Sequence, residues 1–146
     1  MSSERRVDPF AALVLVISVI GIILIAALSF AGFYLTGPYS GNRYSCLDCE
    51  YSTPGDLAAQ IIMLILFIIQ LVVVLNDLLP NKFIQKNLDI YGMLLAGLTI
   101  IFAIIGIASF GIKYVEFEWW PEVSFYGSII AGILNLILFF LKYKNR

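Results

Sequence analysis

Apolar positions fall into four long runs, 10–35, 57–79, 89–112 and 124–141, and polar residues gather between them in the stretches 36–56, 80–88 and 113–123. Crossing the roughly 30 Å hydrocarbon core of a bilayer takes about 20 apolar residues in a helix. Each run reaches or approaches that length, so the pattern predicts four helices with these bounds. The boundary residues agree. Gly37-Pro38 and Pro54-Gly55 are turn signals at the two ends of the first polar stretch. Asp56 stands where an N-cap belongs, and Pro80 cannot continue the second helix. The first run is longer than the core of a secretory signal, so it is read as a retained helix that tilts or extends past the bilayer surface. Within the polar stretches a period of two shows at Val115-Glu116-Phe117-Glu118-Trp119 and more weakly at Leu47-Asp48-Cys49-Glu50-Tyr51. Two readings follow there, a small sheet made by these segments or two irregular loops.

Composition turns this pattern into a class. With 61% apolar and 13% charged residues the chain has too little polar side chain to cover a water-soluble surface. The expectation is an all-α membrane protein: one domain over 1–146, an antiparallel four-helix transmembrane bundle with a small β-sheet or loop cap outside the membrane. The formal charge of -1 argues against nucleic acid as a partner, and the lack of any histidine removes the commonest metal ligand and the usual general base. Basic residues other than Arg43 and Lys113 lie before the first run, in 80–88 or after the fourth run. By the positive-inside rule both termini are then cytoplasmic in a multi-pass protein of the cell membrane, and the polar stretches 36–56 and 113–123 face out. Trp119, Trp120 and Tyr126 fit an aromatic belt on that outer side.

Four groups of residues carry candidate chemistry. Cys46 and Cys49 are the only cysteines. In an oxidising compartment they suit a structural disulfide, a redox-active C-x-x-C pair, or, less directly, free thiols or a metal shared with another molecule, since this chain offers no further Cys or His as ligand. Inside the runs, Gln70 and Asn135 fall at the same depth, roughly 20 Å from the helix starts, with Ser18 and Thr99 within about a turn of it. That layer is either hydrogen-bonded glue among four helices or a polar constriction in a transport path. Asp77, the one carboxylate within an apolar run, is expected to reach the surface near Lys82. Small residues four apart, Ala27 and Ala31, Gly92 and Ala96, Gly127 and Ala131, Ser128 and Gly132, predict close helix contacts. Tyr44, Phe117, Trp119 and Trp120 are the expected interaction surface. No nucleophile with a base, no phosphate loop and no metal or cofactor motif is present in the sequence.

The third-run stretch Leu94-Leu-Ala-Gly-Leu98, the stretch Ser124-Phe-Tyr-Gly-Ser128 and Gly41-Asn-Arg-Tyr-Ser-Cys46 resemble the claudin and peripheral-myelin-protein group of four-span proteins. That resemblance implies cytoplasmic ends, a first outer loop with a cysteine pair, and a second outer loop joined to it in a sheet. Tyr44 stands where that group carries a tryptophan. The position of Cys46-Leu-Asp-Cys49 before the second run is similar to that of four-span thiol oxidases that reduce a quinone, but the second cysteine pair of those enzymes has no counterpart in 113–123. The functional expectation is therefore a non-enzymatic membrane protein, claudin-like, acting as a structural, adhesive or accessory subunit through other membrane subunits or itself. A thiol-disulfide oxidoreductase using Cys46, Cys49 and a quinone is the first alternative, and a small transporter or channel the second.

Overall fold

A computed structural model describes residues 8–79, 84 and 87–145. Four helices, α1 (Pro9–Ala27), α2 (Pro54–Leu78), α3 (Asp89–Lys113) and α4 (Val123–Lys144), are each long and apolar enough to cross a membrane. Three short strands, β1 (Ala31–Leu35), β2 (Gly41–Ser45) and β3 (Glu118–Pro121), form one sheet. Each helix packs on its neighbours in the chain, and α1 closes on α4, so the four form a ring. They alternate in direction: the end of α2 and the start of α3 meet the end of α4 at Lys142, Asp77 and Asp89.

Helix ends follow local chemistry. Asp8 accepts a hydrogen bond from the Phe10 amide at 3.0 Å, with Pro9 preset for the first turn. For α2 the cap is Thr53 and not Asp56. The Thr53 hydroxyl accepts from the Asp56 amide at 3.1 Å while the Asp56 carboxylate reaches back to the Thr53 amide at 2.5 Å. This reciprocal capping box places Asp56 one turn inside the helix.

Each helix turns one narrow stripe inward. On α1 it is Ala11, Val14, Ser18, Gly21 and Ile25; on α3 it includes Gly92, Ala96, Thr99, Ala103, Gly106 and Phe110. The opposite faces carry branched apolar residues such as Val16, Ile23, Ile65, Val72, Leu94, Ile104, Ile130 and Ile137, all exposed. Two buried rings show how tightly the inner faces meet. A Cβ on Gly21 would stand 2.8 Å from the Phe67 ring, and one on Gly92 would overlap the ring of Phe139.

The first apolar run does not form one helix. The helix stops at Ala27, and Leu28 is extended. Beyond it the backbone finds partners in distant segments: the Phe30 amide donates to the Ser45 carbonyl at 2.8 Å, the Phe30 carbonyl accepts from the Glu122 amide at 2.9 Å, and the Ser29 carbonyl accepts from the Ser124 amide at 3.1 Å. Ala31–Leu35 then becomes the central strand of the sheet, whose order is β2-β1-β3 with both pairings antiparallel. An unbroken apolar run gives no period by which a buried strand can be told from a helix, so the sequence pattern lengthened α1 at the expense of β1. The other strands are displaced from the expected segments as well. β2 lies just before Leu47–Tyr51, which is a turn, and β3 overlaps Val115–Trp119 only at Glu118 and Trp119. The hairpin between β1 and β2 uses Gly37 at φ 115°, a left-handed conformation that suits glycine.

Candidate functional site

Three polar levels lie along the inside of the bundle. At the middle level the four helices converge as the depth argument anticipated. Ser18, Gln70, Thr99 and Asn135 are all fully buried. The Asn135 amide donates to the Gln70 carbonyl oxygen at 2.7 Å and to the Ser18 hydroxyl at 3.1 Å. The Gln70 amide donates to the Thr99 hydroxyl at 3.0 Å, which in turn donates to the Leu95 carbonyl at 2.9 Å. One chain of bonds thus ties together four helices. Phe67 lies one turn from Gln70 toward the cap, and Phe139 one turn from Asn135 in the other direction; both are fully buried. These rings pack against Gly21 of α1 and Gly92 of α3.

At the cap end the buried group is Asp56. Besides Thr53, its carboxylate accepts from the Ser45 hydroxyl and, at 3.4 Å, from the Gln60 amide. Gln60 also donates to the Ser45 hydroxyl at 3.0 Å. These donors are all uncharged, and they tie the end of β2 to the first turns of α2. Ser52 locks the next segment, accepting from the Cys46 amide at 3.1 Å and donating to the Cys46 carbonyl at 2.7 Å.

Cys46 and Cys49 form a disulfide in this turn, with Cα atoms 4.9 Å apart. Asp48 lies beside them, its carboxylate oxygen 3.2 Å from the Cys46 sulfur, and the three side chains come close enough to suggest a metal site. With both sulfurs bonded to each other, only the carboxylate keeps a free ligand atom, so the group does not fit a metal in this state.

At the opposite end a buried cation is held by two acids. The Lys142 ammonium pairs with Asp77 and, at 3.0 Å, with Asp89. Asp77, expected near Lys82 at the surface, instead has its side chain 5% exposed in this cluster; Lys82 itself lies outside the described residues. In the sequence Lys142 counts only as one of the basic residues after the fourth run. The signal that could have found it is the spacing of Ser124, Ser128, Ala131, Asn135, Phe139 and Lys142, one continuous face of α4.

The small residues divide. Gly92, Ala96, Ala131, Ser128 and Gly132 are buried, and a Cβ on Gly132 would stand 3.4 Å from the Ala96 carbonyl oxygen. Gly127 meets Leu24 of α1. Ala27 and Ala31 do not form a helical pair, because Ala27 is the exposed last residue of α1 and Ala31 begins β1.

The expected interaction surface divides too. Register places Phe33, Arg43 and Trp119 side by side on one face of the sheet and Gly32, Tyr44 and Trp120 on the other. The first face is the inner one. Phe33 is 1% exposed and stacks on Tyr114 with ring centres 3.9 Å apart. Phe117 and Trp119 pack against the same aromatic core, so neither belongs to an outward surface. Tyr44 and Trp120 do face out. The Tyr114 hydroxyl donates to the Tyr51 carbonyl at 2.7 Å, and burial, reinforced by the negative charge of Asp56 and by Tyr51, raises its pKa above 10.0.

No protein-family model matches this chain, and no curated protein matches its sequence.

Proposed function

We propose that this chain is a multi-pass protein of the cell membrane, an antiparallel transmembrane bundle with both termini cytoplasmic and the sheet outside, that works as a claudin-like structural or accessory subunit through contacts with other proteins. The observation that carries this reading is the division between inside and outside. Groups capable of chemistry are engaged within the fold: Cys46 with Cys49, Asp56 with its capping donors, Lys142 with Asp77 and Asp89. What is turned outward is apolar on the helices and aromatic on the sheet. Such a surface suits lateral packing in a membrane and contact at its edge.

The test is gentle purification from native membrane after mild cross-linking. A partner, or a second copy, travels with the wild-type chain, and Cys46→Ser with Cys49→Ser weakens that assembly. A chain that stays monomeric and alone at every cross-linker concentration sinks the proposal. Orientation is checked separately with membrane-impermeant labels, which reach a cysteine introduced in the 36–40 turn and not one introduced after Lys144.

One observation favours a second reading. The disulfide sits in a partly exposed turn and not in the core, where a substrate dithiol could attack it. In that reaction the substrate dithiol becomes a disulfide as Cys46 and Cys49 become thiols; a quinone then takes the two electrons and two protons from these thiols, becoming a quinol as the Cys46–Cys49 disulfide closes again. No other cysteine exists in the chain to relay them, so the quinone would have to meet this pair directly. Quinone retained by gently purified protein and reduced on adding dithiol is the result that would favour this reading over the first.

A further inference from the structure

The outward face of the sheet is a compact grid. Strand register sets Tyr44, Gly32 and Trp120 in one row and Asn42, Tyr34 and Glu118 in the next. Rows on a strand stand about 6.8 Å apart and neighbouring strands about 4.8 Å apart, so three rings and one carboxylate share an area that a single side chain can cover. Gly32 forms the floor of the first row. A Cβ there would lie 3.0 Å from both the Trp120 indole and the Tyr44 ring, which close over the glycine from either side. The indole is fixed from its edge: its N–H donates to the Glu122 carboxylate at 2.7 Å, which also leaves the ring face richer in negative charge.

The charges of the cap are sorted between the two faces. Its two basic residues both stand over inward-facing rings, Arg43 over Tyr51 and Lys113 over Tyr114, each 5.6 Å from the ring centre. Arg43 is also committed to the carbonyls of Asn42 and Tyr39. The outward grid therefore has three electron-rich rings and Glu118 with no cation paired to them among the described residues. Rings gathered on one sheet face with a carboxylate beside them match an organic cation, and match a guanidinium best, because its plane lies flat on aromatic faces while its edge bonds a carboxylate.

We propose that this grid, Tyr34, Tyr44 and Trp120 with Glu118, receives an arginine side chain carried by an extracytoplasmic segment of a partner protein. This rests on the reading of the chain as a contact protein and names the chemistry of its outward contact. The bland role for the two rings, covering a glycine in the central strand, accounts for Tyr44 and Trp120 but not for Tyr34 and Glu118 in the adjoining row or for the removal of both cations to the far face.

The test uses the full chain in a maltoside micelle, with tryptophan emission read during titration by a short arginine-containing peptide and by the same peptide with citrulline, its uncharged isostere. A saturable change with arginine and none with citrulline is expected. Glu118→Gln, a change at an exposed position that leaves the circular dichroism unaltered, weakens the arginine response about fivefold, and Trp120→Leu abolishes it. An equal response to citrulline, or full-strength binding by Glu118→Gln, overturns the proposal. So does a response to phosphocholine headgroups in nanodiscs with none to the peptide, which would assign the face to lipid. The outcome is separable from that of cross-linking: a partner that copurifies while the peptide fails to bind removes the arginine site and keeps the contact reading.

Discussion

The two ends of the bundle both bury carboxylates, yet they hold them by different means. At the cap end Asp56 is held by neutral donors drawn from nearby in the chain: Thr53, Ser45 and Gln60. At the opposite end Asp77 and Asp89 are held by a cation, Lys142, that comes from another helix far along the sequence. At the cap end the hydrogen bonds that hold the carboxylate also define the helix start. A buried ammonium has fewer options. Without its carboxylates it would be desolvated for no return, so the ion cluster makes the docking of α4 close to all-or-none. The cap end is a local construction fastened onto the bundle, whereas the other end is where the bundle itself is locked.

The sharpest way to break this contrast is Lys142→Met, which removes the charge but keeps most of the side-chain volume. It should destabilise the chain by about 3 kcal/mol in a denaturation series in mixed micelles, since breaking a buried ion cluster by removing one member costs that order. A loss no larger than that of an exposed lysine such as Lys144 would show that the cluster is not what locks this end. Asp56→Ala comes next. It leaves the Ser45 and Thr53 donors without their acceptor and should cost about 2 kcal/mol, with the Cys46–Cys49 turn opening to proteolysis before the helices unfold. Simultaneous loss of turn and helices would mean that the cap end is not a separable construction. Asn135→Leu probes the middle layer that joins the two ends. Hydrogen bonds between helices in bilayers average about 0.6 kcal/mol, so two lost bonds should cost about 1 kcal/mol. A larger loss of flux than of stability in liposomes would instead favour a transport role for the layer.

The smallest effect is with pH. Tyr114 must stay protonated to donate to Tyr51, and its pKa in the folded cap is raised above the 10.0 of an unfolded tyrosine. The unfolded chain thus loses this proton first. The stabilisation is complete below about pH 10, falls as pH rises from there through the folded value, and is gone above it. Tyr114→Phe should flatten that alkaline decline, as followed by proteolysis of the 46–52 turn. An unchanged decline would place its cause elsewhere.

Much of the architecture was legible because the helices are long and apolar enough to cross a membrane and stand out as apolar runs, and the second, third and fourth runs coincide with α2, α3 and α4 to within a few residues. The middle layer was legible from helical rise alone, as it sets Ser18, Gln70, Thr99 and Asn135 at one depth on four helices. The outer sheet was not. β1 was hidden within an apolar run, where a strand and a helix read alike, and the alternation at Leu47–Tyr51 belongs to a disulfide-closed turn. Phe117 and Trp119 could not be told from Trp120 by residue type, because which side of a strand faces the core depends on register.

By itself the sequence determined that the helices exist, roughly where α2, α3 and α4 end, and at what depth their polar residues lie, because these follow from hydropathy, rise per residue and local caps. Only the tertiary structure decided that Lys142 is a buried partner of Asp77 and Asp89, that 31–35 pairs on both edges, and that the cap's cations leave its outward rings bare. Those outcomes rest on contacts between residues distant in the chain, for which no local pattern carries a signal.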